Sequence, residues 1–508
     1  MELDATQVAR ERTIETELCI IGAGPAGLVV ATQLAAAGRD VVILESGTAP
    51  DHAAAQALNE GAEVGGAYRG LATTRHRAVG GSTALWNTPT PGGVGAKYVP
   101  LDPWDLEPRW PEAPGGWPIS YDDLRPFFVR AQRQCGLGPF AYDGAAWRGN
   151  GGAPALQLAT GGLVPAVYQM GSRSALLAPL LASARDGTRT RLCPGSTVVQ
   201  LALEPAGATV TVANTDGAHW RVRARRVVLA GGAVENARLL LLCAASGGGV
   251  RDDSGWLGRG FMEHPRDRAL TLTLSTGMDP RAIAWYDAHR AADGTTIVGR
   301  MALDGSVAGE NGMLNASATL LPIVRRVRAR LRSALGRAGT LRALQRWLPA
   351  GGHGWSTHPA PERVFDGFTV LLNLEQPPRR ENAIVLGERR DAYDTPLPVL
   401  HWRWHPDDHA QLVRVRRTVA HALESAGFGR VTIDEGAIPD PHAHHHAGTT
   451  RMHPDARQGV VDMDGRVHGT ASLFVVGAST FPTCGFANPM LTIVAMALRL
   501  ADRLRDEP

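Results

Sequence analysis

The chain has 508 residues, of which 44% are hydrophobic, 20% charged and 6% aromatic. This composition excludes a disordered or fibrous protein and predicts a globular protein of two or three domains. Its 52 basic and 49 acidic residues leave a formal net charge of +3, which is too balanced to indicate nucleic acid or another polyanion as the general partner.

The cysteine pattern and the N-terminal sequence indicate the cellular compartment in which the protein resides. Five cysteines are scattered along the chain without a CxxC pair, a pattern typical of reduced thiols in a cytoplasmic protein. The N-terminal residues lack the basic and then apolar order of a signal peptide, and no stretch approaches the roughly 18 uninterrupted apolar residues of a membrane span. We therefore expect a cytoplasmic protein with no transmembrane segment.

The first predicted elements form a βαβ unit in the segment ELCIIGAGPAGLVVATQLAAAGRDVVILESG. An apolar strand leads into a glycine turn, an alanine-rich helix follows, and a second strand ends at Glu45. Gly22 permits the tight turn, Gly24 lets the backbone approach a pyrophosphate, and Gly27 lets helix and strand pack closely. Glu45 stands where a carboxylate accepts hydrogen bonds from a ribose, so the unit predicts a dinucleotide site without distinguishing FAD from NAD.

Two later segments return to the same kind of sheet. Residues 208–214 alternate through Val210 and Val212, and residues 220–232 contain the apolar run Val227–Ala230 ahead of a helical pattern, AVENARLLLLCAA. Near the C-terminus, a strand over 473–476 and a glycine-containing turn precede a helix that starts near Pro489. We therefore predict one discontinuous nucleotide-binding domain, assembled from the beginning, middle and end of the chain.

The region 266–440 contains strand-like runs such as RALTLTLST and GFTVLLNLEQPP, and it predicts an antiparallel sheet that carries the substrate specificity. No short motif in this region names the substrate. An insertion at 324–346 holds eight arginines and no acidic residue, with apolar residues at helical spacing. We interpret it as an amphipathic helix, or two with a break at Gly336–Gly339, on a lid or packing surface; peripheral contact with an anionic membrane surface, an acidic partner or an electron acceptor stays open. Nucleic acid binding has no supporting motif.

A dense histidine cluster, HHHAGTTRMH, occupies residues 444–453, with His442 just upstream. Adjacent residues of a strand point to opposite faces, so consecutive histidines do not converge on one ion, and no CxxC or HExxH motif accompanies them. We therefore expect no metal site. An acid/base role for one of these histidines is the stronger interpretation, because imidazole titrates near neutral pH.

Several segments together resemble the glucose-methanol-choline (GMC) family of flavoprotein oxidoreductases: GAGPAG with Glu45, AVGGSTALWNT, GRGFMEHP, HHAGTTRMHP and GASTFPTCGFANPMLTI. Their order and spacing match over nearly the whole chain. Asn488 and the HxxGT-x-RM signature are most similar to the pyranose-oxidase-like and bacterial sugar-dehydrogenase branch. The resemblance implies an α/β fold in which a discontinuous Rossmann-type FAD-binding domain is joined to a second, α+β substrate domain built on an antiparallel sheet.

The expected domain boundaries follow from this resemblance. Residues 1–105, 186–265 and 441–508 should form the FAD-binding domain. Residues 106–185 should form a substrate or cap segment, and residues 266–440 should form the substrate-binding domain with the arginine-rich insertion at 322–348.

The resemblance also assigns the catalytic base to His445, the first histidine of HxxGT, and a partner role to Asn488. Alcohol oxidation requires that a hydroxyl proton leave as a hydride moves to flavin N5, and imidazole suits that task. Asn488 hydrogen-bonds the same oxygen and orients it without titrating. His446 is the alternative base if the register is off by one, and structural or surface roles are expected for His442, His444 and His453.

The same resemblance places AVGGSTALWNT along the flavin, although alone it is typical of a glycine-rich surface loop. Leu85 stands where pyranose oxidases carry the histidine that links FAD covalently, so we expect non-covalent FAD. The residues expected to contact FAD are Gly22, Gly24, Pro25, Ala26, Gly27, Glu45, Ser46, Gly80, Gly81, Ser82, Trp86, Asn87, Val198, Gly231, Gly477, Ala478, Asn488 and Met490.

These observations predict a FAD-dependent oxidoreductase that oxidises an alcohol of a sugar, amino sugar or glycoside, such as an aminoglycoside-type intermediate of natural-product biosynthesis. Its partners would be the small-molecule alcohol and an electron acceptor, either oxygen or another physiological or artificial acceptor. One alternative is a lyase or other non-redox flavoprotein of the same fold. Another is an NAD dehydrogenase, which the two later segments of the nucleotide-binding domain oppose.

Overall fold

The computed structural model describes residues 12–48, 52–66, 68–111, 113, 115–147, 162–324 and 354–507. The helix predicted over the arginine-rich segment lies outside this part of the chain, since only Val324 of that segment is described. None of the helices among these residues combines the length and the hydrophobicity that a membrane span requires. All five cysteines are buried thiols.

Helices and strands alternate at the start of the chain, and strands dominate its middle. The α-helices of the described residues are α1 (Pro25–Ala36), α2 (Ala53–Ala57), α3 (Tyr121–Gln134), α4 (Arg173–Asp186), α5 (Gly232–Ala245), α6 (Gly305–Glu310), α7 (Pro406–Ser425) and α8 (Met490–Asp506). The strands are β1 (Thr13–Ile21), β2 (Val41–Glu45), β3 (Ala62–Val64), β4 (Thr88–Thr90), β5 (Gly93–Tyr98), β6 (Leu163–Ser172), β7 (Thr190–Pro194), β8 (Ser196–Glu204), β9 (Gly207–Asn214), β10 (His219–Leu229), β11 (Arg266–Leu274), β12 (Ala288–Arg290), β13 (Thr296–Leu303), β14 (Ala316–Val324), β15 (Phe365–Leu374), β16 (Ala383–Arg390), β17 (Pro396–His401), β18 (Gly429–Ile433) and β19 (Leu473–Val475).

The first sheet has the strand order β7-β2-β1-β10-β9-β8, and β19 pairs with the C-terminal end of β10. Strands β7, β2, β1, β10 and β19 pair in parallel, whereas β9 joins β10 and β8 by antiparallel pairing. Every residue of β2 is buried, as is usual for a parallel strand covered on both faces. The strands come from the start, middle and end of the chain, which confirms the predicted discontinuous Rossmann-type domain.

The second sheet pairs its strands antiparallel in the order β18-β11-β15-β14-β13-β6-β5-β4, with β12 beside β13. Its core contains Trp285, Trp355 and Phe368, and α7 adds Leu412 and Val415. The antiparallel sheet predicted for the second domain is therefore confirmed. Strands β4 and β5 belong to this sheet although they precede residue 105, the boundary expected for the first FAD-binding segment.

A small third sheet has the strand order β16-β17-β3. Its core includes Tyr68 and Phe261, so it holds the segment around Tyr68 against the start of the GRGFMEHP motif. A single β-bridge pairs Met262 with Ala447. Two segments far apart in sequence, one carrying His264 and the other the histidine cluster, are thereby brought side by side.

Candidate active site

A cavity of about 600 Å³ lies between the first and second sheets. One wall is formed where β1, β2, β10 and β19 end, at Ile21, Glu45, Ala230 and Val476. This is the carboxyl edge of the parallel strands, where open α/β sheets bind their ligands. The opposite wall comes from β5, β11 and β15 of the second sheet.

The glycine turn after β1 is shaped to hold a diphosphate. A Cβ on Gly22, whose φ is +108°, would lie 2.7 Å from the carbonyl oxygen of Ala230, and a Cβ on Gly27 would collide with the carbonyl oxygen of Gly22. A Cβ on Gly24 would meet no atom within 4 Å, so this position faces open cavity. Helix α1 begins at Pro25 with no side chain capping its first amides. Those amides are available to an anion, and the turn fits the pyrophosphate of FAD.

Glu45 ends β2 at the cavity wall and is buried. Its carboxylate accepts hydrogen bonds from the amides of Ala23 (2.9 Å) and Gly47 (2.8 Å), which leaves acceptor capacity for a ribose hydroxyl. Burial raises the pKa of Glu45, while these two amides and Arg77 lower it. The carboxyl group therefore fits the ribose role predicted for it.

A cluster of charged residues, which the sequence did not indicate, lines the cavity beside Glu45. Arg75 and Arg77 both pair with Glu235, and Arg77 also donates to the Ser46 hydroxyl at 2.8 Å. Although burial alone raises the pKa of Glu235, Arg77 and its neighbouring guanidinium groups hold it well below its usual range. Both cations at this end of the cavity therefore have a carboxylate partner within the protein.

The loop at 80–82 packs directly on the glycine turn. The amide of Gly80 donates to the carbonyl oxygen of Ala23 at 2.8 Å, and a Cβ on Gly81 would lie 3.1 Å from the Cα of Gly24. Gly27 and Gly80 pack behind the wall and do not line the cavity. The other residues expected to contact FAD do line it: Gly22, Gly24, Pro25, Ala26, Glu45, Ser46, Gly81, Ser82, Trp86, Asn87, Val198, Gly231, Gly477, Ala478, Asn488 and Met490.

His445 and Asn488 meet at the cavity, as the family resemblance implied. The Nδ2 atom of Asn488 lies 3.3 Å from Nε2 of His445. A second imidazole, which the sequence reasoning missed, stands on the other side of His445: Nδ1 of His264 lies 3.0 Å from Nδ1 of His445. The sequence contained a signal for this residue, because His264 belongs to GRGFMEHP, one of the segments that carry the family resemblance.

The hydrogen-bond partners fix the tautomers of both rings. Nε2 of His264 lies 3.2 Å from the carbonyl oxygen of Cys484, which only accepts, so Nε2 carries the proton. Burial lowers the pKa of His264 to about 4, so the ring is neutral and its Nδ1 is an acceptor. His445 must then donate from Nδ1, which leaves a lone pair on its Nε2. That lone pair is directed to the side where Asn488 lines the cavity.

The surroundings of His445 keep it unprotonated. Burial lowers its pKa well below the ordinary value, and the neighbouring His264 and the positive charge of Arg266 lower it further. A histidine with a lowered pKa is in its basic form at neutral pH. His445 is therefore able to accept a proton from a group in the cavity.

Glu263 holds both imidazoles from behind and is fully buried. One of its carboxylate oxygens accepts from the amides of His445 (2.9 Å) and His264 (3.1 Å), and the other accepts from the Tyr68 hydroxyl at 3.2 Å. Burial raises the pKa of Glu263 to about 7, against the opposing effect of these amides. The residue fixes the backbone from which the two rings project.

The remaining histidines of the cluster have partners of their own. His446 lies 2.7 Å from the Tyr68 hydroxyl, and His442 lies 2.8 Å from a carboxylate oxygen of Asp440. His444 is exposed and has a φ of +63°, so the chain there is not a regular strand, and His453 accepts from the amide of Asp455. Within the described ranges, no group of three or more His, Cys, Asp or Glu is arranged to hold a metal ion.

The segment from Cys484 to Asn488 supplies two contacts to this site, the carbonyl that sets the His264 tautomer and the amide beside His445. Gly485 within it has a φ of +52°, and a Cβ there would collide with the carboxylate of Asp105. Helix α8 begins directly after this segment, and Pro489 and Met490 line the cavity. The positive end of the α8 dipole therefore faces the site.

Comparison with known families and proteins is consistent with this geometry. A family model described as GMC oxidoreductase matches residues 378–497, and one described as an NAD(P)-binding Rossmann-like domain matches residues 20–87. Paromamine 6'-oxidase of Streptomyces fradiae is 26% identical over an alignment that covers 96% of this chain and 90% of that protein. C-glycoside 3-oxidase of Arthrobacter globiformis is 31% identical over a stretch that covers 28% of each chain.

Solved structures share the fold over nearly the whole chain. Pyridoxine 4-oxidase from Mesorbium loti superimposes with a TM-score of 0.54 and 18% identity, covering 97% of this chain and 100% of that one. A FAD-dependent oxidoreductase from Chaetomium thermophilum gives a TM-score of 0.56 at 17% identity, covering 96% and 99%.

Proposed function

Since the chain belongs to the GMC oxidoreductases and uses FAD, we propose that it oxidises an alcohol group of a sugar, amino sugar or glycoside. The names of the relatives support this substrate class, because two of them are oxidases of paromamine and of C-glycosides. The observation that carries the proposal is the lone pair on Nε2 of His445, which faces Nδ2 of Asn488 at a cavity that also contains the diphosphate turn.

The chemistry divides between cofactor and protein. When bound, FAD would supply the acceptor for the hydride of the carbinol carbon. Nε2 of His445 takes the hydroxyl proton of the substrate, and Nδ2 of Asn488 donates to the same oxygen and holds it in place. As His445 becomes cationic, its Nδ1–H strengthens its bond to Nδ1 of His264. The amide of Asn488 does not titrate, so within this pair the proton goes to His445.

The residues that would hold FAD follow from the walls already described. The glycine turn and the first amides of α1 would bind the pyrophosphate, and Glu45 would bind a ribose hydroxyl. Leu85 offers no nucleophile, so the cofactor should be bound non-covalently. The electron acceptor is oxygen or another physiological acceptor, and the rate at which air reoxidises the bleached enzyme distinguishes these two.

Anaerobic mixing with a panel of sugars and glycosides tests the proposal. At least one sugar-type alcohol should bleach the flavin absorbance. His445→Ala should keep its FAD and slow this step by roughly 10²–10⁴-fold, the usual worth of a positioned acid/base group.

His446→Ala is the matched control, because His446 binds Tyr68 rather than the position facing Asn488, and its effect should be far smaller. Equal effects at both positions would contradict the assignment of His445. Intact FAD that no alcohol bleaches would point instead to a lyase or another non-redox flavoprotein.

A further inference from the structure

The chain contains 52 basic residues, of which 51 are arginine and one is lysine. The single lysine, Lys97, lies on β5 and lines the cavity. An ammonium group differs from a guanidinium in being compact and able to approach an anion as a point charge. The ammonium group of Lys97 therefore influences which ligands the cavity binds.

Lys97 is part of a continuous wall contributed by the second sheet. Its Nζ lies 5.5 Å from the ring centroid of Tyr168, whose hydroxyl accepts from Nδ2 of Asn373 at 3.3 Å. Asn373 lines the cavity and is the register partner of Arg266, which also lines it. We call Lys97, Asn373 and Arg266 the cationic wall.

Neither cation of this wall has an ion-pair partner among the described residues. Arg266 donates from Nη2 to the carbonyl oxygen of His442 at 2.6 Å. Burial lowers the pKa of Arg266, and the nearby Asp440 and Glu263 oppose this effect only in part, since they are bonded to His442 and to backbone amides. Burial, and then the charge of Arg266, lower the pKa of Lys97 to about 8.

The two ends of the cavity differ in the carboxylates that line them. Glu45, Glu235 and Asp391 are the acidic residues that line it in the described part of the chain, and Glu235 and Asp391 pair with arginines beside the nucleotide turn. The second-sheet side of the cavity carries Lys97 and Arg266, and among the described lining residues no carboxylate belongs to that side.

We propose that the cationic wall binds an anionic group of the substrate, a carboxylate or a phosphate, and so selects acidic sugar-type alcohols over neutral and polyaminated ones. This inference rests on the proposed function and narrows its substrate class. Arg266 supplies a planar donor pair and Lys97 a point charge, while Asn373, the register partner of Arg266, adds a neutral amide. Opposite charge also speeds the entry of an anion into such a cleft, and a polycation is repelled.

A charge series tests the selection. The probes are glucosides with every ring hydroxyl intact, whose short aglycone ends in a hydroxyl, a carboxylate, a phosphate or an ammonium group. The quantity measured is the ratio of kcat/KM for each charged probe to that of the neutral probe. We expect the carboxylate or the phosphate probe to have the highest ratio and the ammonium probe to have the lowest. The anionic probe with the higher ratio shows whether the cationic wall prefers a carboxylate or a phosphate.

Variants at position 97 make the test specific. Lys97→Met should reduce the anion-to-neutral ratio by about 10- to 100-fold, the worth of one hydrogen bond to a charged group. Lys97→Arg should keep most of the preference. Arg389→Met is the matched control for net charge, because Arg389 is on the surface, paired with Glu60, and does not line the cavity.

Amine chemistry gives a readout that does not depend on turnover. Reductive methylation of the holoenzyme can modify only Lys97 and the α-amino group, and peptide mass spectrometry separates the two. The acidic glucoside should slow modification of Lys97 and leave the α-amino group unaffected, whereas the neutral glucoside should protect much less.

The failures of the two proposals are distinguishable. If no glucoside bleaches FAD and none protects Lys97, the proposed function is wrong. If glucosides bleach FAD but the ratio is unity or favours the ammonium probe, or if Lys97→Met slows all probes equally, the cationic wall does not select anions and only this inference is overturned.

Discussion

The pairing of His264 with His445 yields the sharpest prediction, because the two nitrogens of the His264 ring do different work. Its Nδ1 accepts from His445 at 3.0 Å, and its Nε2 donates to the Cys484 carbonyl. His264→Asn places an amide oxygen near the position of Nδ1 and keeps the acceptor. His264→Gln places an amide nitrogen near the position of Nε2, so it keeps the donor and loses the acceptor.

The expected magnitude follows from what each change removes. Loss of the acceptor leaves the buried Nδ1–H of His445 without a partner and costs about 1–3 kcal/mol. If that cost is felt fully as the ring takes the substrate proton, it corresponds to a flavin reduction roughly 5- to 150-fold slower. His264→Ala and His264→Gln should both show this loss, while His264→Asn should recover most of the rate.

Stopped-flow absorbance under anaerobic, single-turnover conditions measures this step, and FAD content and melting temperature serve as controls for folding. A His264→Gln enzyme as fast as the wild type would refute the tautomer assignment. So would a His264→Asn enzyme as slow as His264→Ala with its FAD intact. Either result would mean that His264 acts through packing alone.

Three further outcomes are expected. Glu263→Ala should lower the free energy of unfolding by about 2–5 kcal/mol, because two buried amides lose their acceptor. Glu263→Gln should lower it by a smaller amount. A denaturant titration in which both variants match the wild type would contradict this prediction. Because burial lowers the pKa of His445, its basic form persists as the pH falls through 6.5. The flavin reduction rate should therefore decline only in more acidic buffer. A pH profile of this rate with its midpoint at or above 6.5 would be incompatible with the burial of His445. Acid or heat should release all of the FAD, whereas flavin that stays with the denatured chain would disprove non-covalent binding.

The nucleotide-binding domain could be predicted because its signals are local. A strand, a glycine turn, a helix and an acidic strand end follow one another within 31 residues, and each has its own sequence pattern. The approach of His445 to Asn488 was expected from the family resemblance. Both residues were identified from this resemblance, because their separation in the sequence alone gives no reason to expect a contact between them.

The rest of the site depends on pairings that no local pattern reveals. His264 meets His445 because Met262 bridges to Ala447, and Lys97 faces the cavity because β5 pairs with β6, about 70 residues further along the chain. The hairpin of β4 and β5 is rich in glycine and proline, so it gave no clear strand signal and was assigned to the first domain. Long-range register of this kind is specified by packing in the folded molecule.

The short segment from Cys484 to Asn488 constrains how the enzyme can be re-engineered. It fixes the protonation pattern of one imidazole and places the amide next to another, and Gly485 leaves no room for a side chain against Asp105. A shift of this segment would disturb both functions together, so random mutagenesis there should yield mostly inactive clones. Lys97 and Asn373 of the second-sheet wall support neither function directly, and a directed-evolution library confined to these two positions should be the richer source of new substrate scope.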